Sequence, residues 1–369
     1  MNRILELLIN HGTRLAEPGE FSKRAFLNGR IDLTEAEAVM DLISSQNETA
    51  LKNSVRQLRG DVYESVTDYR REIIHEIAFI ESALDDPEHI SLDGYSISLE
   101  NKIENLIQKI EELLSTSERG KLIREGINTV IVGKPNAGKS SLLNSLVGEE
   151  RAIVTDIAGT TRDVLEENIR LQGVNLHIID TAGIRSTEDI IEKIGVEKAK
   201  KYTKEADLVI YVVDSSVPLD ENDSEIIAMI ENKKCIILFN KSDLDSEVSF
   251  EELKGKLKPE QNENIIFIKT SLKENKGIGD FEKAVKELFL KGEISSDNDI
   301  IITNLRHKEA FKEALDNLLM VKESLKANMP EDFYSIDLMG AYASLGKIIG
   351  EEVEEDLINE IFSNFCMGK

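Results

Sequence analysis

An eight-residue run at positions 133–140 has the residue types and spacing that recognise phosphate. It reads G-K-P-N-A-G-K-S, follows an apolar stretch at 129–132, and precedes a segment with leucines at 142, 143 and 146. The glycines let backbone N–H groups approach phosphate oxygens, Lys139 can reach the outer phosphates, and the Ser140 hydroxyl can bind Mg²⁺. A strand, a glycine-rich loop and a helix in this order predict a nucleotide site.

A second motif specifies the base. Asn240-Lys241-Ser242-Asp243 follows the apolar run at 235–239. The Asp243 carboxylate can accept hydrogen bonds from the N1 and N2 donors of guanine, whereas adenine lacks this pair of donors and would leave the carboxylate unpaired. Thr270-Ser271-Leu272-Lys273, after the apolar run at 265–268, is expected to close over the guanine. These motifs predict that the nucleotide is GTP.

Two further segments between these motifs are typical of a γ-phosphate sensor. Asp180-Thr181-Ala182-Gly183 follows an apolar strand pattern at 176–179. Asp180 is predicted to hold Mg²⁺ through water, and the Gly183 N–H to contact the γ-phosphate. The polar loop at 155–163 is predicted to be a switch segment, in which Thr161 is the second protein ligand of Mg²⁺. The alternative for this loop is a plain surface turn.

The residue that usually orients the attacking water is missing. Many GTPases place Gln directly after D-x-x-G, but this position is Ile184 here. Arg162 and Arg185 are close in sequence, although no pattern directs either towards the phosphates. The Asn136 side chain could instead hold a monovalent cation and Glu192 could position water; solvated polar side chains are the alternative for both.

Composition limits the classes of partner. The formal net charge of -25, with no Trp and 5% aromatic residues, argues against a broad nucleic-acid surface or a base-stacking platform. If RNA is involved, a partner is expected to supply most of the contacts. The five histidines show no metal-ligand spacing, and the two cysteines make no disulfide framework. No apolar run is long enough to span a membrane and the N-terminus lacks a secretory pattern, so we predict a cytoplasmic protein without membrane contact.

Helical periodicity flanks the nucleotide motifs on both sides. Thr34 and Glu37 predict a capping box at the start of one helix, and Asp85-Asp86-Pro87 predicts a break between two others. At 369 residues, two or three domains are expected. We predict an α/β P-loop GTPase domain with a mostly parallel sheet, inserted into an all-α helical bundle; two separate bundles are the alternative. The predicted apolar stripes are Val39, Leu42 and Ile43; Val62, Val66, Tyr69, Ile73, Ile77 and Ile80; Leu99, Ile103, Leu106, Ile110 and Leu113; Phe311, Ala314, Leu315, Leu318 and Leu319; Leu345, Ile348 and Ile349; and Leu357, Ile358, Ile361, Phe362 and Phe365.

Three stretches, taken with the P-loop and D-T-A-G motifs, resemble the TrmE/MnmE family of tRNA-modification GTPases. They are P-G-E-F-S-K-R-A-F-L-N-G at 18–29, D-I-A-G-T-T-R-D at 156–163, and F-C-M-G-K at 365–369. The resemblance covers the whole chain in the family's order. It implies domains at 1–31 (the last part of an N-terminal folate-binding and dimerisation domain), 32–124 (helical, first part), 125–292 (GTP-binding) and 293–369 (helical, second part, with the C-terminal tail).

The resemblance implies a function and a set of ligands. The family hydrolyses GTP with Mg²⁺ while its two GTP domains pair across K⁺, and a cation there can replace an arginine finger. It acts with an FAD-dependent partner, as a heterotetramer, to place aminomethyl-type groups on C5 of the wobble uridine of tRNA. Matching positions imply K⁺ ligands at Asn136, Thr155, Ile157 (through its carbonyl) and Thr160, Mg²⁺ ligands at Ser140 and Thr161, water positioned by Glu192, a functional Cys366, and 5-formyl-tetrahydrofolate contacts at Arg30 and Lys369. The residues predicted to bind nucleotide and its ions are Asn136, Ala137, Gly138, Lys139, Ser140, Ser141, Thr155, Asp156, Ile157, Ala158, Gly159, Thr160, Thr161, Asp180, Thr181, Ala182, Gly183, Asn240, Lys241, Ser242, Asp243, Ser271, Leu272 and Lys273.

The sequence also departs from the family. Only the last part of the family's N-terminal domain has a counterpart here, so we expect a fragment, a late start or a shortened relative of the family. The resemblance therefore does not carry over folate binding or constitutive dimerisation. Two other functions stay open. One is an Era-like GTPase of ribosome assembly or translation, and the other is a GTP-timed scaffold without a direct role in the modification chemistry.

Overall fold

The structure of the chain is a computed structural model that describes residues 2–45, 47–147, 166–171, 174–179, 200–257, 264–289, 300–351, 353, 355–363 and 365. The chain divides into two compact units, one of Met1–Arg124 with Asn298–Lys369 and one of Glu125–Asp297. The predicted fold class, an α/β domain with a mostly parallel sheet inserted into an all-α domain, is confirmed.

The α/β unit is built on one six-stranded sheet in the order β2-β3-β1-β4-β5-β6. All neighbours are parallel except β2, which pairs antiparallel with β3. Every residue of β4 is buried, as expected for a parallel strand covered on both faces. The strands are β1 (Ile127–Val132), β2 (Glu166–Leu171), β3 (Val174–Ile179), β4 (Leu208–Asp214), β5 (Lys234–Asn240) and β6 (Ile265–Lys269), and the helices are α8 (Lys139–Val147), α9 (Glu221–Met229), α10 (Phe250–Gly255) and α11 (Ile278–Phe289).

The helical unit has one main core, formed by α5, α6, α12 and α13. The predicted break at Asp85-Asp86-Pro87 is confirmed, because α5 ends at Asp85. Most members of the predicted stripes on these four helices are buried, but Leu319 is 39% exposed. The helices of this unit are α1 (Asn2–Asn10), α2 (Glu20–Leu27), α3 (Leu33–Ser44), α4 (Glu48–Leu58), α5 (Asp61–Asp85), α6 (Tyr95–Ser115), α7 (Ser117–Glu125), α12 (Leu305–Lys326), α13 (Glu331–Ile349) and α14 (Glu355–Ser363).

The predicted capping box of α3 is wrong. The N-cap is Asp32, whose carboxylate accepts hydrogen bonds from the backbone N–H groups of Thr34 (2.6 Å) and Glu35 (3.2 Å), while the Glu35 side chain accepts from the Asp32 N–H. The sequence D-x-x-E therefore caps the helix two residues before the predicted T-x-x-E, since Asp satisfies N-terminal N–H groups as well as Thr does.

The predicted apolar face of α3 is also wrong. Ile43 is 42% exposed, whereas Glu37 and Asp41 are buried. The helix turns these carboxylates inward because nitrogen donors from other helices meet them: Arg306 and His307 contact Glu37, and Arg124 lies 3.2 Å from Asp41. Periodicity of apolar residues alone does not reveal such a face.

A smaller apolar cluster joins the two ends of the helical unit. The rings of Phe362 and Phe365 contact each other in a tilted arrangement, with centroids 5.0 Å apart, and the ring centroid of Phe26 lies 6.1 Å from that of Phe362. Leu33 and Ile358 complete the contact. The predicted stripe at 357–365 is thus confirmed at three positions, but Leu357 is 40% exposed.

Cys235 lies within β5 and is fully buried. Burial raises the pKa of its thiol well above the ordinary range, because the thiolate would be desolvated. No helix among the described residues is long and apolar enough to cross a membrane.

Candidate nucleotide site

Two glycines are required by the shape of the P-loop between β1 and α8. Gly133 has φ 152°, and a Cβ there would lie 2.4 Å from the Val212 carbonyl oxygen of β4. Gly138 has φ 113°, and a Cβ there would lie 2.2 Å from Nδ2 of Asn240. Any other residue would be strained and would collide with the neighbouring segment, so the loop has the close-packed backbone that phosphate binding needs.

The lysine of the P-loop closes the loop on itself. Nζ of Lys139 donates to the carbonyl oxygens of Gly133 at 2.6 Å and of Lys134 at 2.8 Å. Ser140 and Ser141, in the first turn of α8, are exposed. The N-terminus of α8 therefore carries an ammonium group, two exposed hydroxyls and the backbone N–H groups of its first turn, a set that suits an anion.

Asn240 joins three segments at the end of β5. Its side chain is buried; Nδ2 donates to the Ala137 carbonyl oxygen at 2.8 Å, and Oδ1 accepts from the Leu272 N–H at 3.1 Å. One amide thus connects the P-loop to the segment after β6. Because parallel strands end at the same edge of the sheet, β1, β5 and β6 bring their following loops together there.

Asp243 is prepared as an acceptor. The Ser271 hydroxyl donates to its Oδ1 at 2.7 Å, and this hydrogen bond, more than any other contact, holds the pKa of Asp243 below its usual range. The carboxylate is exposed, so it is charged and accessible. A fixed, ionised carboxylate with free acceptor positions is what the N1 and N2 donors of guanine require.

Asp214 at the end of β4 is a residue that the sequence analysis missed. Lys241, which has φ 63°, forms an ion pair with this carboxylate. Burial alone would raise the pKa of Asp214, but hydrogen bonds from Lys241 and Ser216 outweigh it and lower the pKa. The signal was available, because Asp214 ends a fully apolar strand in the same way that Asn240 does.

The structure brings together the P-loop residues Ala137 and Gly138 with Asn240, and Asp243 with Ser271. Lys273 is exposed on the segment that also carries Ser271. Arg30, by contrast, lies after α2 in the helical unit and is exposed. The predicted site residues that lie outside the described residues are Thr155, Asp156, Ile157, Ala158, Gly159, Thr160, Thr161, Asp180, Thr181, Ala182, Gly183, Glu192, Cys366 and Lys369.

The donor set fits a guanine nucleotide with a hydroxyl-bound hard cation. The glycine cradle, the Lys139 ammonium and the Ser140 hydroxyl suit phosphate and Mg²⁺, and Asp243 suits guanine. Within the described ranges, no group of three or more His, Cys, Asp or Glu side chains could hold a metal on its own.

The terminal stretches 18–29 and 365–369, which are far apart in sequence, meet at their described residues. Gly19 has φ 64°, and a Cβ there would lie 2.6 Å from the Phe362 carbonyl oxygen and 2.9 Å from Cβ of Phe365. Only glycine permits this approach. The residue before Cys366 is therefore packed against the segment that leads into α2.

Comparison with known proteins agrees with both units. The MnmE helical domain model matches residues 33–366, and the model of the GTP-binding protein TrmE N-terminus matches residues 1–30. The tRNA modification GTPase MnmE of Lachnoclostridium phytofermentans is 56% identical over 367 residues, and that of Acetivibrio thermocellus is 48% identical over 369 residues. Each comparison covers 100% of this chain and 79% of the relative.

A solved structure of the G domain of the T. maritima FeoB iron transporter is 27% identical, with a TM-score of 0.33, and covers 44% of this chain and 98% of that chain. The family models and the full-length relatives decide against the Era-like alternative. The chain therefore belongs to the MnmE (TrmE) family of tRNA-modification GTPases, which are GTP hydrolases.

Proposed function

We propose that this chain binds GTP and Mg²⁺ at the edge of the sheet and hydrolyses GTP with the help of K⁺, as one step of tRNA wobble-uridine modification. The observation that best supports the GTP site is the Asn240 amide, which forms hydrogen bonds with both the P-loop and the segment after β6. In this proposal the P-loop and Lys139 bind the phosphates, Ser140 and Thr161 bind Mg²⁺, and Asp243 binds guanine.

Asn136 is the proposed K⁺ ligand that the structure describes. It is exposed and has φ 62°, a left-handed conformation that Asn adopts more readily than most residues. A cation beside the phosphates would stabilise the charge that develops during hydrolysis, which is the task of an arginine finger in other GTPases. Thr155, Ile157 and Thr160 are the other proposed ligands, and Glu192 is proposed to position water.

The test compares GTP hydrolysis in KCl and in NaCl at equal ionic strength, for the wild type and for Asn136→Ala. We expect K⁺ to raise the rate by about tenfold or more, the scale of one lost transition-state contact, and the variant to lose this activation. Asn232→Ala is the matched control, since Asn232 also has φ 62° and lies just before β5, at the opposite edge of the sheet. Equal rates of the wild type in both salts would contradict the K⁺ mechanism.

We propose that the modification itself, the addition of an aminomethyl-type group at C5 of the wobble uridine, requires an FAD-dependent partner. The partner supplies most of the tRNA contacts, because this chain carries a net charge of -25. The GTP units are proposed to self-associate when GTP is bound. We place the reaction in the cytoplasm.

Cys366 is proposed to act near a one-carbon donor, 5-formyl-tetrahydrofolate, with Arg30 and Lys369 as its contacts. The packing of Phe365 against Gly19 supports this, since it holds the start of the tail beside the stretch that leads to Arg30. The domain bounds 1–31, 32–124, 125–292 and 293–369 are proposed with it. Replacing Cys366 with Ser should abolish tRNA modification and leave GTP hydrolysis intact; full modification by the variant would favour the scaffold function.

A further inference from the structure

The second residue of the P-loop is tied to a helix that contributes no predicted nucleotide contact. Nζ of Lys134 lies 2.7 Å from Oδ2 of Asp223 and 3.2 Å from Oδ2 of Asp220, at the start of α9. It also donates to the Pro218 carbonyl oxygen at 3.4 Å. The Lys134 side chain is only 14% exposed, and its amine is directed at the start of α9.

Asp223 connects this lysine to the centre of the sheet. Its side chain is 1% exposed, and its Oδ1 accepts a hydrogen bond from the hydroxyl of Tyr211 at 2.6 Å. Tyr211 belongs to β4 and is fully buried. Oδ2 also accepts from the Asp220 N–H at 2.9 Å. The carboxylate is thus satisfied by a phenol, a backbone amide and an ammonium group, as a buried charge must be.

The protonation states reinforce the chain of contacts. Burial alone would lower the pKa of Lys134, but the carboxylates of Asp223 and Asp220 outweigh it and raise the pKa. Burial and the neighbouring Asp223 raise the pKa of Tyr211 far above its ordinary value, so the hydroxyl stays a donor. Tyr211, Asp223 and Lys134 therefore form a charged, directional link from strand to loop.

The backbone of Lys134 takes part in the geometry of the P-loop. Its carbonyl oxygen accepts from Nζ of Lys139 at 2.8 Å and from the Ala137 N–H at 3.3 Å. Asn136, two residues further on, is in the left-handed conformation. Contacts that hold Lys134 in position therefore also hold the turn in the first half of the P-loop.

We infer that Lys134, Asp223 and Tyr211 are positioning residues that hold the P-loop in its phosphate-binding shape before nucleotide arrives. A preformed loop does not have to be ordered on binding, so the ordering cost is removed from the affinity for GTP. The inference rests on the proposed use of this P-loop for GTP. The aspartates also cap α9, but the Asp220–Asp223 capping box does not need a lysine, so helix capping does not account for Lys134.

The first experiment measures GTP binding and hydrolysis by Lys134→Met. We expect Kd and KM for GTP to rise by about tenfold, with kcat changed by less than about twofold, because the loop is reshaped and the reacting groups are kept. Lys134→Arg should restore most of the affinity, since the guanidinium can pair with both carboxylates. The preference for GTP over inosine triphosphate should not change, because the guanine contacts lie on other segments.

Lys233→Met is the matched control for charge and for lost carbonyl contacts. Nζ of Lys233 donates to the carbonyl oxygens of Lys204 at 2.6 Å and Ala206 at 3.0 Å, next to the amino end of β5. This substitution should leave Kd for GTP within about twofold of the wild type. If both lysine variants weaken GTP binding equally, the effect is one of general stability and the inference is wrong.

Tyr211→Phe is the mildest variant and tests the far end of the link. It removes one hydroxyl from a buried ring, and we expect Kd for GTP to rise by about threefold. Asp223→Asn should act like Lys134→Met, whereas Asp207→Asn, which removes a carboxylate that accepts from the Asn128 N–H at 3.0 Å, should not.

The two possible failures are distinguishable. If wild-type protein binds GTP and Lys134→Met, Asp223→Asn and Tyr211→Phe bind it equally well, the positioning role is refuted while the GTP site stands. If the wild type and Lys139→Ala bind GTP equally, the proposed use of the P-loop itself is refuted.

Discussion

Two polar regions of this molecule, the guanine site of the α/β unit and the contacts of Glu37 in the helical unit, differ in how far the sequence predicts them. At the guanine side, Asn240, Asp243 and Ser271 are predicted from short motifs at strand ends, and the structure ties Asn240 to the P-loop and Ser271 to Asp243. In the helical unit, the Glu37 carboxylate lies 2.7 Å from Arg306 and 2.8 Å from His307. No sequence motif predicts these contacts. Ligand chemistry prescribes residue types and spacing, whereas a buried ion pair needs only that its members meet after folding.

The polar region of the helical unit, like the guanine site, is held by several directed hydrogen bonds. Glu37 accepts from Nε and Nη2 of Arg306 at 3.0 and 2.7 Å, and Arg306 also donates to the Ile348 carbonyl oxygen. Burial alone would raise the pKa of Glu37, but His307 and Arg306 outweigh it and lower the pKa to about 2. The Glu37 carboxylate and Arg306 therefore join α3, α12 and α13 through an ion pair that solvent screens only weakly, since their side chains are 11% and 18% exposed.

The largest expected effect follows from removing that charge. Glu37→Ala leaves the buried His307 and the partly buried Arg306 without their carboxylate, and we expect a loss of about 3–5 kcal/mol in the free energy of unfolding of the helical unit. Urea denaturation with hydrogen exchange followed in α3 and α12 measures it. If Glu37→Ala unfolds at the same urea concentration as the wild type, the buried ion pair does not stabilise the helical unit, and the comparison between the two regions is wrong.

Asp243→Asn tests the other region. The amide presents a donor where guanine also presents donors, so we expect GTP affinity to fall by about a hundredfold or more, which is about 2.7 kcal/mol. Affinity for xanthosine triphosphate, which has a carbonyl in place of the exocyclic amine, should rise. Calorimetric titration with both nucleotides checks this, and the unfolding of α3 and α12 should stay as in the wild type.

Each of the two regions contains a carboxylate whose pKa is lowered, Glu37 in the helical unit and Asp243 at the guanine side, and at Glu37 the shift makes stability depend on pH. Because the folded-state pKa of Glu37 is about 2, below its ordinary value of 4.5, its contribution to stability is full above about pH 4.5 and is lost as pH falls towards 2. Burial raises the pKa of the adjacent Asp41, a shift of opposite sign. The difference between wild type and Glu37→Gln isolates the Glu37 contribution, and a difference that does not shrink between pH 5 and pH 2.5 would contradict it.

The smallest effect is expected at the surface of the same helices. Glu313 pairs with Lys347 at 2.7 Å, but their side chains are 53% and 48% exposed. Glu313→Ala should therefore cost about 0–1 kcal/mol. It is the matched control for Glu37→Ala, since both substitutions remove a glutamate whose ion pair joins α12 to another helix, which is α13 for Glu313 and α3 for Glu37. Equal losses at the two positions would show that burial does not set the strength of these pairs.

The α/β unit was predictable because buried parallel strands are apolar runs and because each motif follows such a run. The helical stripes of Ile73, Leu106 and Leu318 were predictable from their spacing. The orientation of α3 was not, because Glu37 and Asp41 count as surface residues in any hydrophobic pattern. Asp214 was missed although it ends an apolar strand as Asn240 does, because a single Asp at a strand end makes no motif and its ion-pair partner, Lys241, lies on another loop.

The burial of Cys235 has a practical consequence for following the C-terminal tail. The chain has two cysteines, and the Cys235 thiol, which is fully buried within β5, does not form the thiolate that alkylating reagents attack. Any maleimide dye taken up by the folded chain therefore reports on Cys366 alone. A fluorophore can be attached there without mutating the other cysteine, and its emission can follow the tail while nucleotide or tRNA is added.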